Sequence, residues 1–236
     1  MEGVLNQLLE KLTKALGDRL VSVVLYGSAV TGDHHEAFSD LNVLCVLQQV
    51  TSRELAHAEP VFRWWREKKN PAPLLLSEHE VQTCSDCFAI EFHDIKNQHR
   101  ILQGKDVISN LVVDGSFYRA QVEHDLRAKL LRLRQKASSA LSEPDVLRRL
   151  LADSLSTFCV LFRHALLLHG VAAHSKKREI IQQANENFGI DPLPFNKLLD
   201  LREERIKPRE LEPVGLFDSY LKQISIVIDA VDRLEK

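Results

Sequence analysis

Two apolar runs divided by a polar loop organise the first fifty residues. Val21 to Tyr26 reads as a buried strand that stops at Gly27-Ser28. Past the loop, Ser39-Asp40-Leu41-Asn42-Val43 opens a second apolar run that ends near Leu47. Strand side chains alternate, so Asp40 and Asn42 share one face while Leu41 and Val43 pack beneath. Ahead of both runs, Val4, Leu5, Leu8, Leu9, Leu12 and Leu16 recur at helical spacing, and Gly17 stops that helix. Behind them, Thr51-Ser52-Arg53-Glu54 is a capping box for a helix carrying Phe62, Trp64 and Trp65, which Asn70-Pro71 breaks. Pro73 to Leu76 reads as a short strand, Ser77-Glu78 as the start of a brief helix, and Cys87 to Ile95 as a strand with Glu91 among apolar neighbours.

Beyond Gly115 the pattern becomes helical throughout. Leu126, Leu130, Leu133, Ala137 and Leu141 mark one long helix, broken at Ser142-Glu143-Pro144. Leu147, Leu151, Leu155, Phe158, Phe162 and Leu166 mark a second, ending at Gly170. Shorter helices are expected over Lys176 to Phe188 and Pro194 to Glu204, and a last one carries Phe217, Leu221, Ile224, Ile228, Val231 and Leu234. Nothing in this half reads as strand, so an antiparallel helical bundle is expected over 114–236, after an α/β domain with a mixed sheet over 1–113.

Composition changes this picture little. A chain of 236 residues with a 44% apolar fraction can bury real cores, and its net charge of -2 gives no reason to expect general nucleic-acid binding or an anionic-membrane surface. Neither a signal peptide nor a long uncharged apolar stretch stands out, so a cytoplasmic protein is expected. Of the cysteines, Cys45, Cys84, Cys87 and Cys159, only Cys84 and Cys87 form a close pair, and the plain reading is reduced packing cysteines. His34, His35 and Glu36 in the polar loop read as solvated loop residues.

The chemistry is concentrated at the first turn and the second strand. A Gly-Ser turn lets backbone amides approach a phosphate, because glycine has no Cβ in the way and serine adds a hydroxyl donor. Paired oxygen side chains on a strand suit a hard divalent cation. Strand, Gly27-Ser28, loop, then Asp40-Leu41-Asn42-Val43 resembles the signature of the nucleotidyltransferase fold, the superfamily of DNA polymerase β-like enzymes and small aminoglycoside nucleotidyltransferases. One residue departs from the pattern: Asn42 stands where a second acid is usual, and an amide oxygen brings no negative charge.

The resemblance implies in-line attack of an acceptor hydroxyl on the α-phosphorus of a nucleoside triphosphate, with release of pyrophosphate. Gly27 and Ser28 then hold phosphates, and Asp40, Asn42 and a third acid hold Mg2+ or Mn2+. Glu91 is the choice for that third acid, with Asp94 second. Glu123, at the start of the bundle, is a general-base candidate by position. The segment Ile95 to Val107 is similar to the superfamily's short helix ending at a glycine, here Gly104. The acceptor is a small molecule or a protein, and a homodimer is compatible with this reading. The alternative is a degenerate nucleotidyltransferase-fold protein that binds nucleotide in a regulatory role. A weaker resemblance, Arg163 and His169 to the motif of HEPN ribonucleases, is set against the plainer reading that His169 ends a helix.

Overall fold

The computed structural model describes residues 1–31 and 41–234, which fall into two compact units, Met1–Phe117 and Tyr118–Lys236. In the first, α1 (Glu2–Leu16) leads to β1 (Leu20–Tyr26) and a single helical turn, α2 (Ser28–Thr31). β2 (Asn42–Leu47), α3 (Ser52–Glu67), β3 (Leu74–Ser77), α4 (Glu78–Thr83), α5 (Ala89–Asn97) and β4 (His99–Gly104) follow. The strands form one mixed sheet in the order β3-β2-β1-β4. β1 runs antiparallel to both neighbours, while β2 and β3 are parallel, joined by the crossover helix α3.

Helices sit on both faces, so the central strands are apolar on both sides. Leu41, Val43, Cys45 and Leu47 of the β2 segment join Val23 and Leu25 of β1 against Leu5, Leu8, Leu12 and Leu16 of α1 and Trp65 of α3. On the other face Val24, Leu44 and Val46 pack with Val81 of α4 and with Phe92 and Ile95 of α5. Each buried leucine contributes about 1.5–3 kcal/mol, so the apolar stripe of α1 outweighs its helical propensity as the reason it forms. α3 begins at the expected capping box, where the Arg53 N–H donates to Thr51 Oγ1 at 3.2 Å and the Thr51 N–H to Glu54 Oε2 at 3.1 Å. The buried Glu54 also meets Arg19 at 3.2 Å, and its carboxyl is held below the usual range by the Thr51 hydroxyl first.

Two sequence expectations exchange places. Cys87 to Ile95 is not a strand: it contributes to α5, whose buried residues Ala89, Ile90, Phe92 and Ile95 follow a helical spacing that the apolar run conceals. The segment through Gly104 is not a helix but the edge strand β4. Pairing with β1 decides this, Tyr26 lying opposite His99 and Val24 opposite Ile101.

The second unit is helical: α6 (Tyr118–Ser138), α7 (Pro144–Leu168), α8 (Lys177–Phe188), α9 (Leu193–Arg202) and α10 (Pro213–Asp232). α7 touches the other four. Its core is aromatic, Phe162 meeting Phe195 at 5.3 Å and Phe195 meeting Tyr220 at 5.0 Å. α7 is long and apolar enough to cross a membrane, with a mean hydropathy of 1.4, although it carries charges such as Arg163; half of that stretch is buried.

Gly104 shows how tightly the edge strand is set. Its φ is +86°, and a Cβ there would lie 2.1 Å from the Val21 carbonyl oxygen, to which the Lys105 N–H donates. Gly104→Ala is expected to destabilise the first unit by about 2 kcal/mol or more, combining left-handed strain with a backbone clash. Urea denaturation checks this; a midpoint unchanged from the parent would contradict the geometry.

Candidate functional site

β1 ends in a turn with little slack. Gly27 has φ +78°, its N–H donates to the Gln98 carbonyl at 3.1 Å, and its own carbonyl accepts the Val30 N–H at 2.9 Å. A Cβ at this position would meet Asn42 Nδ2 at 3.2 Å, so the side chain of Asn42 lies directly against the turn. Glycine suits the turn on two counts, the left-handed backbone angle, which L side chains rarely adopt, and the close approach of the Asn42 amide.

Asn42 opens β2 opposite Tyr26, on the sheet face away from α1. Leu41 and Val43 pack beneath it as the alternation predicts, and the Leu41 N–H donates to Asn70 Oδ1 at 3.2 Å, tying the start of β2 to the residue that follows α3. Asp40 lies outside the described residues, as do His34, His35 and Glu36. β3 supplies no acid: its register sets Leu74 beside Leu44, which places Ala72 level with Asn42, and Leu74–Ser77 contains no carboxylate.

Two described carboxylates that act on this end of the sheet come from a helix. Glu91 is an exposed residue in the first turn of α5, and Asp94 follows one turn later, inside the helix rather than capping it. Both act on the hydroxyl of Tyr26, whose pKa is raised by burial first, then by the negative charges of Glu91 and Asp94. Tyr26 was not singled out from the sequence; its place immediately before Gly27 was the available signal. Among the described residues no three His, Cys, Asp or Glu side chains converge as a metal set.

Glu123 proves a poor general base. Its carboxylate accepts hydrogen bonds from Arg127 and Arg119, each at 2.8 Å, and Arg127 foremost holds its pKa down. A carboxylate so stabilised in its charged form has little affinity for a proton. His169 is the exposed C-cap of α7, its ring against Phe188 at 5.5 Å, which suits the helix-end reading. All four cysteines are thiols; hydrogen bonding to Asp86 pushes the Cys87 thiol up, away from thiolate reactivity.

Comparison with known proteins agrees with this arrangement. Residues 5–81, which contain both strands and the turn, match the family model of the nucleotidyltransferase domain. The spectinomycin adenyltransferase of Enterococcus faecalis, solved with ATP and spectinomycin, is 14% identical and superposes with a TM-score of 0.61 over 97% of this chain and 98% of its own. This chain has the nucleotidyltransferase fold. A helical region follows it, as the sequence pattern indicated. A toxin–antitoxin structure with AMP-PNP, 15% identical, covers 42% of this chain and 73% of its own at a TM-score of 0.31, too slight a likeness for residue equivalence. No curated protein matches the sequence.

The Tyr26 phenol reports on the α5 acids directly. Glu91→Gln with Asp94→Asn is expected to lower its pKa toward 10 without bringing it there, because burial is the larger cause. Ultraviolet titration, with Tyr26→Phe identifying the signal, checks this. The folded protein keeps Tyr26 neutral, so stability should fall as pH rises above 10 and the unfolded chain ionises first. An unmoved phenol titration in the double variant would place α5 elsewhere.

Proposed function

We propose that this nucleotidyltransferase-fold chain binds a nucleoside triphosphate at the Gly27–Ser28 turn and transfers its nucleoside monophosphate to a hydroxyl of a small molecule or protein. The observation that carries the reading is the approach of Asn42 to the Gly27 turn, which joins a phosphate cradle to the head of β2. The Gly27 N–H is engaged by Gln98, so glycine shapes the turn, and the donors to phosphate are those from Ser28 onward. Asn42 at the head of β2 and Glu91 of α5, together with Asp40 of the sequence motif, would offer magnesium or manganese an oxygen-only set of the kind these ions take. A magnesium ion held by those residues would supply positive charge against the charge that develops on pyrophosphate. The acceptor oxygen bonds to the α-phosphorus as the bond to the β-phosphate bridge breaks, and the hydroxyl proton passes to an α5 carboxylate. ATP is the first nucleotide to test, given the ligands crystallised with the enterococcal enzyme. A cytoplasmic setting suits the four free thiols.

A second reading follows from Asn42 and from the absence of an acid on β3. With one carboxylate fewer than the fold's enzymes usually bring, the same cradle can bind nucleotide in a regulatory role without turnover. No observation favours RNA cleavage by Arg163 and His169.

Asn42→Asp separates these readings. One added charge near 4 Å from a cation is worth about 1 kcal/mol in water and more in a partly enclosed site, so magnesium-dependent ATP affinity should rise roughly tenfold. Asp40→Asn should weaken it at least as much. Calorimetric titration of ATP with and without magnesium measures both, and pyrophosphate release measures turnover. Release by the parent supports transfer, whereas tight binding without release supports the regulatory reading. Unchanged affinity in both variants would remove residues 40 and 42 from any metal shell.

A further inference from the structure

The net charge of the whole chain conceals a local imbalance. Residues 118–236 carry 20 Lys and Arg against 17 Asp and Glu, while residues 1–117 carry 11 against 16. The excess in the helical unit has one source. Between Asp125 and Glu143 there is no acid, and there are five bases: Arg127, Lys129, Arg132, Arg134 and Lys136. All five are exposed on the C-terminal half of α6, whose buried stripe is Leu126, Leu130, Leu133 and Ala137.

Helical spacing sorts these bases into rows. Arg127 and Arg134 fall on one flank of the buried stripe and Lys129 and Lys136 on the other, each pair about 10 Å apart along the axis, with Arg132 on the ridge between. Only Arg127 has acidic partners, Glu123 at 2.8 Å and Asp232 at 3.7 Å. Among the described residues Lys129, Arg132, Arg134 and Lys136 form no ion pair; Arg132 reaches only Gln135, at 3.5 Å. The helix dipole accounts for Lys136 in the last turn but acts over that turn alone. Like charges at i,i+3 and i,i+4, Lys129 with Arg132 and Arg132 with Lys136, weaken a helix slightly, so this row is not there for the helix's own stability.

We propose that this face of α6 binds the phosphate backbone of a B-form DNA duplex. A 10 Å length of duplex presents roughly six phosphate charges, enough to meet every base on the helix. Two basic rows on either side of one helix match the two phosphate walls of a groove that admits a helix. No aromatic residue lies between Asp125 and Glu143, so the stacking platform that single strands use is missing, and the contact is with the backbone of a duplex. Binding is therefore independent of sequence, and it replaces the expectation drawn from the whole-chain charge.

Fluorescence anisotropy with a fluorescein-labelled 20-base-pair RNA duplex and a DNA duplex of the same sequence tests this on the full chain. Four neutralised phosphates give a slope of log K against log salt of roughly -3.6, so affinity should fall about a hundredfold between 50 and 200 mM salt. Arg132→Gln with Arg134→Gln should reduce the slope by about 2 and weaken binding at 50 mM salt. Arg66→Gln with Lys68→Gln, the same charge loss on exposed residues of the other unit, should leave binding as it was. Circular dichroism establishes that both variants fold. No DNA binding at 50 mM salt, tighter binding to the RNA duplex than to the DNA, equal loss in the two double variants, or tighter binding to poly-L-glutamate than to the DNA would overturn the proposal.

Discussion

β1 is hydrogen-bonded on both sides, and the candidate site depends on that. Its last residue, Tyr26, is fixed opposite Asn42 on β2 and opposite His99 on β4, so the turn at Gly27 has one position available to it. The Gln98 carbonyl then takes the Gly27 N–H, and the Asn42 side chain closes against the glycine. A Cβ at Gly27 would press on that side chain, and the left-handed backbone angle of the same residue favours glycine.

The head of β2 carries the uncharged Asn42, and β3 is apolar, with Ala72 level with Asn42. The described carboxylates felt at this end come from α5, through Glu91 and Asp94 acting on the Tyr26 hydroxyl. A site with fewer fixed acids repels a triphosphate less and holds a divalent cation less firmly.

The helical unit solves a different problem. α7 is apolar enough to cross a membrane, and it is the central helix about which α6, α8, α9 and α10 pack, with Phe162, Phe195 and Tyr220 in the core. With that core buried, α6 presents an outer surface of almost undiluted positive charge. Summed over the chain the charges nearly cancel, but screening confines each to roughly a Debye length, so a partner responds to the local run and not to the total.

The sequence by itself determined the elements whose pattern is local. The leucine stripe of α1, the strand before Gly27, the capping boxes at Thr51 and Ser77 and the helices after Gly115 are each set by neighbours within a few residues, through periodicity or a terminal hydrogen bond. Tertiary structure decided what local pattern leaves open. The short apolar stretches around Phe92 and Ile101 fit either helix or strand, and only pairing with β1 and packing on its face made the first α5 and the second β4. The same holds for the site. Gly27 and Asn42 could be read from spacing, whereas the part played by Tyr26 and the helical origin of Glu91 depend on contacts between residues more than sixty positions apart. Glu123, plausible as a base in sequence, is bound to Arg119 and Arg127, because on a helix residues four apart share a face.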